Sequence, residues 1–383
     1  MPQSAALAEF NPTPEELAEK RRRVRTLLDA EGLDALVLTQ EPSVAWVTGG
    51  GATRVSMSGG ADASAAVLIT HDAVYVLTDA IEAPRIAAEE VPDQSVHMKV
   101  YPWEQGRVGD RAAIITGIVG GGQIGADASV AGIDSVRVLR DAVVRLRSSL
   151  LEPEIARYRW LAQTAATALE AAARAVRPGM TELQVVASYV GPLMAYGIQV
   201  PVALVAADER IDRFRHPLPT EKIVHQHVLL IAGATRWGLN ASASRAVCFG
   251  RLPDDLRRKQ QGCARVDLAF INATKPGATA GEIFAAGATA YADAGFPNEW
   301  RLHHQGGAAG YAGREWTITP GGTQTVQEAQ PFAYNPSIIG TKSEDTFVLR
   351  ADGTADFLSV TGQWPPVPGT ESSYPRPSIL EVV

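Results

Sequence analysis

The chain has 383 residues, 46% of them hydrophobic and 20% charged, with a net charge of −7 at neutral pH. That length accommodates two or three domains, each burying its own core, and the acidic balance argues against nucleic acid or an anionic membrane as the main partner. The two cysteines, Cys248 and Cys263, have neither metal-ligand nor redox spacing, so a reduced, cytoplasmic protein with both thiols as small apolar fillers is expected.

The first residues, MPQSAALAEFNPTPEE, lack a charged start followed by an apolar core, and no apolar run is long enough to span a bilayer. Neither a signal peptide nor a membrane span is expected. Thr13-Pro14-Glu15-Glu16 predicts a helix start, with threonine as N-cap and proline at the first helical position, running to about Ala30 and stopping at Gly32. Lys20-Arg21-Arg22-Arg23 lies in that helix with Glu15, Glu16 and Glu19 and reads as a solvated face. Residues 35–39 (ALVLT) and 43–49 (SVAWVTG) read as strands, and 65–70 with 73–78 as a hairpin turning at His71-Asp72. A helix near 80–90 and strands near 96–100 and 123–126 complete an alternating pattern, which predicts helices on a mixed sheet. The glycine-rich loop GGGATRVSMSGG holds a single cation, Arg54; without a P-loop lysine or a following helix it is not a phosphate cradle.

A boundary is expected near Ser148-Ser149, giving domains over 1–149 and 150–383. Glu152-Pro153-Glu154 opens a long alanine-rich helix to about Val176. RPGMTELQV at 177 is then echoed by KPGATAGEIF at 275, each with a basic residue, Pro-Gly and a threonine cap, and Gln184 and Glu282 stand at capping-box spacing from Thr181 and Thr279. Two such units imply a domain of two similar α/β halves with a cleft between them. His225 and His227, with no acid in sequence reach, read as surface residues. The tail, WPPVPGTESSYPRPSILEVV, reads as extended over the surface or over a partner subunit.

The densest chemistry lies between His303 and Thr346, in HHQGGAAGYAGREW and AYNPSIIGTKSEDT. Gly306, Gly307 and Gly310 allow tight turns and close backbone approach. The stretch is either the floor of a cleft or a β-meander with its polar residues facing water.

These motifs resemble the superfamily of methionine aminopeptidases, prolidases, aminopeptidases P and creatinase. LDALVLTQEPSVAWVTG is similar to its creatinase-type N-terminal domain, and EPEI, RPGMTE and the sequence to Thr346 to its pita-bread catalytic domain. The fold implied is α/β, an N-terminal domain followed by a pita-bread domain with two similar halves. The superfamily's peptidases carry five metal ligands, and the resemblance places them at Ile231, Ser242, His303, Asn335 and Glu344. Three of the five positions hold residues unsuited to the role, since isoleucine has no lone pair and neutral serine or asparagine does not balance a divalent charge. No catalytic metal and no other cofactor is therefore expected.

Creatinase is the member that works without metal, and Arg314-Glu315 matches its Arg-Glu. The resemblance implies that Arg314 grips a substrate carboxylate together with Arg54 from the partner subunit of a homodimer, and that His216, in FRHPLP, is the general acid and base. Otherwise Arg314 is a structural bridge to Glu315 or Asp345, Arg54 an exposed loop cation, and His216 the cap of a loop. Glu344, His303, His304, Ser244 and Asn335 would shape a polar pocket. Ser244 and Asn335 stand, neutral, where creatinase holds its guanidinium with acids, so creatine is not the substrate expected. The reading that follows is a metal-independent hydrolase or lyase acting on a C–N bond of a small carboxylated molecule. The alternatives are a catalytically silent pita-bread binding protein and a metallopeptidase with altered ligands.

Overall fold

The computed structural model describes residues 10–56, 62–91, 93, 95–370 and 374–383. Residues 1–9, most of the first stretch, and residues 57–61, part of the glycine-rich loop, lie outside them. The chain divides into two compact units, Met1–Arg147 with Leu151–Pro153, and Ser148–Leu150 with Glu154–Val383.

In the first unit, Thr13 caps the helix Pro14–Glu31 by accepting from the Glu16 N–H at 3.2 Å, and Gly32 ends it at φ 62°. Leu17, Lys20, Val24 and Leu28 recur at helical spacing and are all buried. The expected solvated face is thus corrected at Lys20, whose Nζ donates to buried Glu16 at 2.6 Å. Unpaired, that ammonium would carry a large desolvation cost.

Strands β1 (Ala35–Gln40), β2 (Asp62–Thr70), β3 (Val74–Asp79), β4 (His97–Tyr101), β5 (Ile124–Ala126) and β6 (Arg137–Val138) form a mixed sheet in the order β4-β3-β2-β1-β5-β6. The hairpin expected at His71-Asp72 is present, with Ile69 opposite Val74. The second expected strand is instead the helix Glu41–Val47. Pro42 stands in its first turn, where a missing N–H costs nothing, and Ser43 to Val47 are buried on every side, which removes the alternation a half-buried strand needs. The expected helix near 80–90 is a short turn, Ala83–Arg85, running into a π-helical turn, Ile86–Glu90. A helix over Gly106–Val119 had no counterpart in the sequence reading because its glycines mask its periodicity; Ala112 and Ile115 pack with Val37, Leu68 and Leu77.

In the second unit, β7 (Gln199–Ala207), β8 (His227–Arg236) and β9 (Leu239–Phe249) form an antiparallel sheet. Strands β10 (Gly306–Ala308), β11 (Trp316–Thr317), β12 (Pro331–Tyr334), β15 (Asp345–Leu349) and β16 (Ala355–Phe357) form another, in the order β11-β10-β12-β15-β16, and β13 (Ser337–Ile338) pairs with β14 (Thr341–Lys342). The echo in sequence is an echo in structure. Thr181 and Thr279 both make full capping boxes, before the helices Glu182–Met194 and Ala280–Asp293. In one copy the Gly179 N–H donates to Val224 O and the Val224 N–H to Met180 O; in the other the Gly277 N–H donates to Val326 O and the Val326 N–H to Ala278 O. The proline-rich tail departs from expectation. It ends as β17 (Ile379–Val382), parallel to β9, because the last residues, free of proline, supply the N–H groups an edge strand needs. Its Arg376 is buried and meets Asp267 at 3.1 Å.

Candidate active site

The register of β8 on β9 sets Ile231 opposite Ser244 and Gly233 opposite Ser242. Ile231, Val202 and Leu204 give one side of an adjacent cavity of ≈ 280 Å³ an apolar lining, and His216, His304, Arg314, Asn335, Lys342 and Glu344 give the other a polar one.

Glu344 is the hub. Its Oε2 accepts from Ser244 Oγ at 2.7 Å and lies 3.6 Å from Lys342 Nζ, and its Oε1 accepts from Arg314 at 3.3 Å. Burial pushes this carboxyl up, but Lys342, Arg314 and the Ser244 hydroxyl outweigh it, so Glu344 lies below its ordinary range and is charged at neutrality. Burial pulls Lys342 down against the opposing pull of Glu344. Lys342 had no part in the sequence reading. The signal was its spacing of two from Glu344, which puts both side chains on one face of an extended segment.

The three imidazoles form a second cluster. His303 Nε2 lies 3.1 Å from His216 Nε2, and the His304 ring stacks on His303 with centroids 4.4 Å apart. His303 and His304 lead directly into β10, whose glycines let it lie close between its neighbours. Gly306 and Gly307 run at φ 82° and 154° between β11 and β12, where a Cβ would stand 2.2 Å from Ala333 O and 2.4 Å from Trp316 O. Gln305 then donates to His303 O at 2.6 Å and accepts from the Tyr291 hydroxyl at 2.9 Å. Burial, reinforced by Lys342 and the neighbouring imidazoles, holds His303 down to about 2. Burial with Arg314 and Lys342 holds His304 down to about 4. His216 is also lowered, by burial and Lys342 against the pull of Glu344.

The remaining expected site residues sit as follows. Ser244 stands behind the cavity as a donor to Glu344, and Asn335 lines it, 3% exposed, with Oδ1 enclosed and without a hydrogen-bond partner. Glu315 turns to the backbone, accepting from the Ala312 N–H at 3.1 Å, which places it in the turn. Arg54 belongs to the first unit, where its guanidinium lies 3.7 Å from Glu41. The bridge considered for Arg314 goes to Glu344. The surface reading of His227 is corrected: its Nε2 is enclosed and burial brings the ring down to about 4. Cys248 and Cys263 are buried thiols outside any disulfide, as expected, and Cys263 Sγ donates to Pro336 O at 3.2 Å.

The five positions at which the resemblance implies metal ligands do not fit a dinuclear centre. Ile231 turns an apolar side chain to the cavity, His303 faces His216, and the one carboxylate, Glu344, is held by two cations and a hydroxyl. A bridging carboxylate is lacking, so no step is routed through such a centre.

The fold and the cavity define the class: a creatinase/prolidase N-terminal domain, matched over residues 20–160, ahead of a pita-bread hydrolase domain. Residues 156–351 match metallopeptidase family M24, and the chain belongs to that family as one of its hydrolases. It is 26% identical over 248 residues to a Xaa-Pro dipeptidase of Lactobacillus delbrueckii subsp. lactis, covering 62% of this chain and 67% of that one. It is 27% identical over 207 residues to the agropine synthesis cyclase of Rhizobium rhizogenes, covering 47% of this chain and 51% of that one. Dipeptidase PepE from Mycobacterium ulcerans shares the fold, with a TM-score of 0.78 at 17% identity over 97% of this chain and 99% of that one. Among the described residues no helix is long and apolar enough to cross a membrane.

Proposed function

We propose that this hydrolase cleaves a C–N bond in a small carboxylate-bearing molecule without a metal, using His216 as general acid and base. The observation that carries the reading is the pinning of Glu344 between Arg314 and Lys342. Two basic side chains face one carboxylate, and with the imidazoles neutral the cavity carries one basic group in excess. A substrate carboxylate balances it, with the guanidinium fork of Arg314 as its main donor. At the other end, Asn335 Oδ1 accepts an N–H of the substrate, relieving an enclosed acceptor, and Val202, Leu204 and Ile231 cover its apolar part.

With its Nε2–H donating to His303, His216 takes a proton from water at Nδ1 as the water oxygen bonds to the carbon. The same imidazole returns that proton to the nitrogen as the C–N bond breaks, and a carboxyl-bearing amine departs. The Nε2–Nε2 contact with His303 orients the ring. In a homodimer, Arg54 of the partner subunit is the second carboxylate donor.

The test is a chelator-treated enzyme offered N-substituted amino acids, amidino acids, cyclic amides and Xaa-Pro dipeptides. The last two enter because relatives are named for cyclisation and for Xaa-Pro cleavage. Turnover that survives chelation and falls about 100-fold or more in His216→Ala supports the reading. No turnover from any compound, or an unaffected variant, returns the chain to a binding role. Activity that needs added metal ion overturns the metal-free chemistry.

A further inference from the structure

The imidazole cluster has a geometry that the hydrolytic reading uses only in part. His216, His303 and His304 offer ring nitrogens that all lie within 4.8 Å of one another. Two nitrogens bound to one tetrahedral zinc at ~2.0–2.1 Å stand about 3.3 Å apart. The Nε2 atoms of His216 and His303, at 3.1 Å, already have that bite. His304 stacks on His303, and the bond it accepts from the Gly306 N–H is long, 3.3 Å, and easily given up.

We propose that these three histidines bind one borderline divalent cation, of the class of Zn²⁺, Co²⁺ or Ni²⁺, as a reversible inhibitor and not as a cofactor. An all-imidazole donor set selects these ions over Mg²⁺, Ca²⁺ or Mn²⁺, which take oxygen. Three features make the site exchangeable. No carboxylate belongs to it, since Glu344 is engaged with Ser244, Arg314 and Lys342. Those two cations oppose a third positive charge nearby. His303 Nδ1 is enclosed without a hydrogen-bond partner, whereas a resident ligand histidine donates its far N–H to an acceptor. The inhibitory half rests on the acid and base role of His216, because a neutral imidazole bound to a metal ion through one nitrogen carries its proton on the other and has no lone pair left to take one; the binding half does not.

The experiment is a titration of the full chain, stripped with chelator and free of substrate, with Co²⁺ followed by visible absorption and with Zn²⁺ followed by calorimetry. Expected are one ion per chain, affinity at least tenfold lower in His216→Asn, His303→Gln and His304→Gln, stoichiometric uptake retained in Glu344→Gln, and no uptake of Mg²⁺. His216 and His304 are exposed, so His216→Asn and His304→Gln decide the matter even where His303→Gln fails to fold. Absence of stoichiometric uptake, or uptake unchanged in the histidine variants, overturns the site. Loss of uptake in Glu344→Gln alone overturns it too, by moving the ion to the strand positions. With a substrate in hand, Zn²⁺ lowers turnover and chelator restores it. If no substrate emerges, the titration still reports on the site, so failure of the hydrolytic reading and failure of this one are separable.

Discussion

Glu344 and Asp345 are sequence neighbours that serve opposite ends. Glu344 meets Arg314 and Lys342 beside an open cavity, with cations in excess. Asp345 meets Arg245 at 3.1 Å and Arg376 at 3.7 Å, in a closed network where Glu170 and Asp267 make acids the majority. The residue types are the same, and successive side chains on an extended segment face opposite ways. What separates the two clusters is closure: the tail brings Arg376 onto one, while the other borders an open cavity with one more basic side chain than acid. Ser343, on the scaffold side, donates to Asp267 at 2.5 Å, so the network also fixes the backbone that carries Glu344.

The largest expected effect is on the scaffold. Arg376→Ala leaves Asp267 buried without its cation and Asp345 with Arg245 alone, and should cost about 3–5 kcal/mol, read as a shift in urea midpoint. Unchanged stability would dissolve the contrast between the two clusters. Acid provides a second lever. His227 is held at about 4 in the folded chain against 6.5 unfolded, so the unfolded chain takes the proton first. Its contribution is whole above pH 6.5 and is lost as pH falls toward 4, by about 3 kcal/mol at most. Comparing the pH dependence of unfolding in wild type and His227→Gln isolates it, and parallel curves would refute it.

Arg314→Ala should raise KM for a carboxylated substrate about 100-fold while moving unfolding free energy by less than about 1 kcal/mol, because the guanidinium is partly exposed. A stability loss like that of Arg376→Ala would put Arg314 in the scaffold. The smallest effect is expected from Lys342→Met. It removes the surplus charge and should weaken carboxylate binding about tenfold, with neutral analogues unaffected. Equal losses for charged and neutral compounds would mean that Lys342 acts through packing.

Local patterns carried much of the fold. Thr13, Thr181 and Thr279 cap helices through atoms three residues away, so their roles stand in the sequence itself. The hairpin at His71-Asp72 and the glycines at 306 and 307 were legible for the same reason. The helix over 41–47 was not, because burial on all sides erases the period that distinguishes helix from strand. Lys20 hid likewise: a charge run says nothing about which member turns inward.

By itself, then, the sequence determined the caps, the repeated Pro-Gly-Thr units and the loss of acids at the strand positions, all properties of single residues or of short spans. Only the tertiary structure decided that His216 meets His303 across 87 residues, that Lys342 joins Arg314 on Glu344, and that the tail closes one charge cluster and leaves the other open. Those contacts depend on strand register and on what burial excludes, and both are set by the whole chain acting at once.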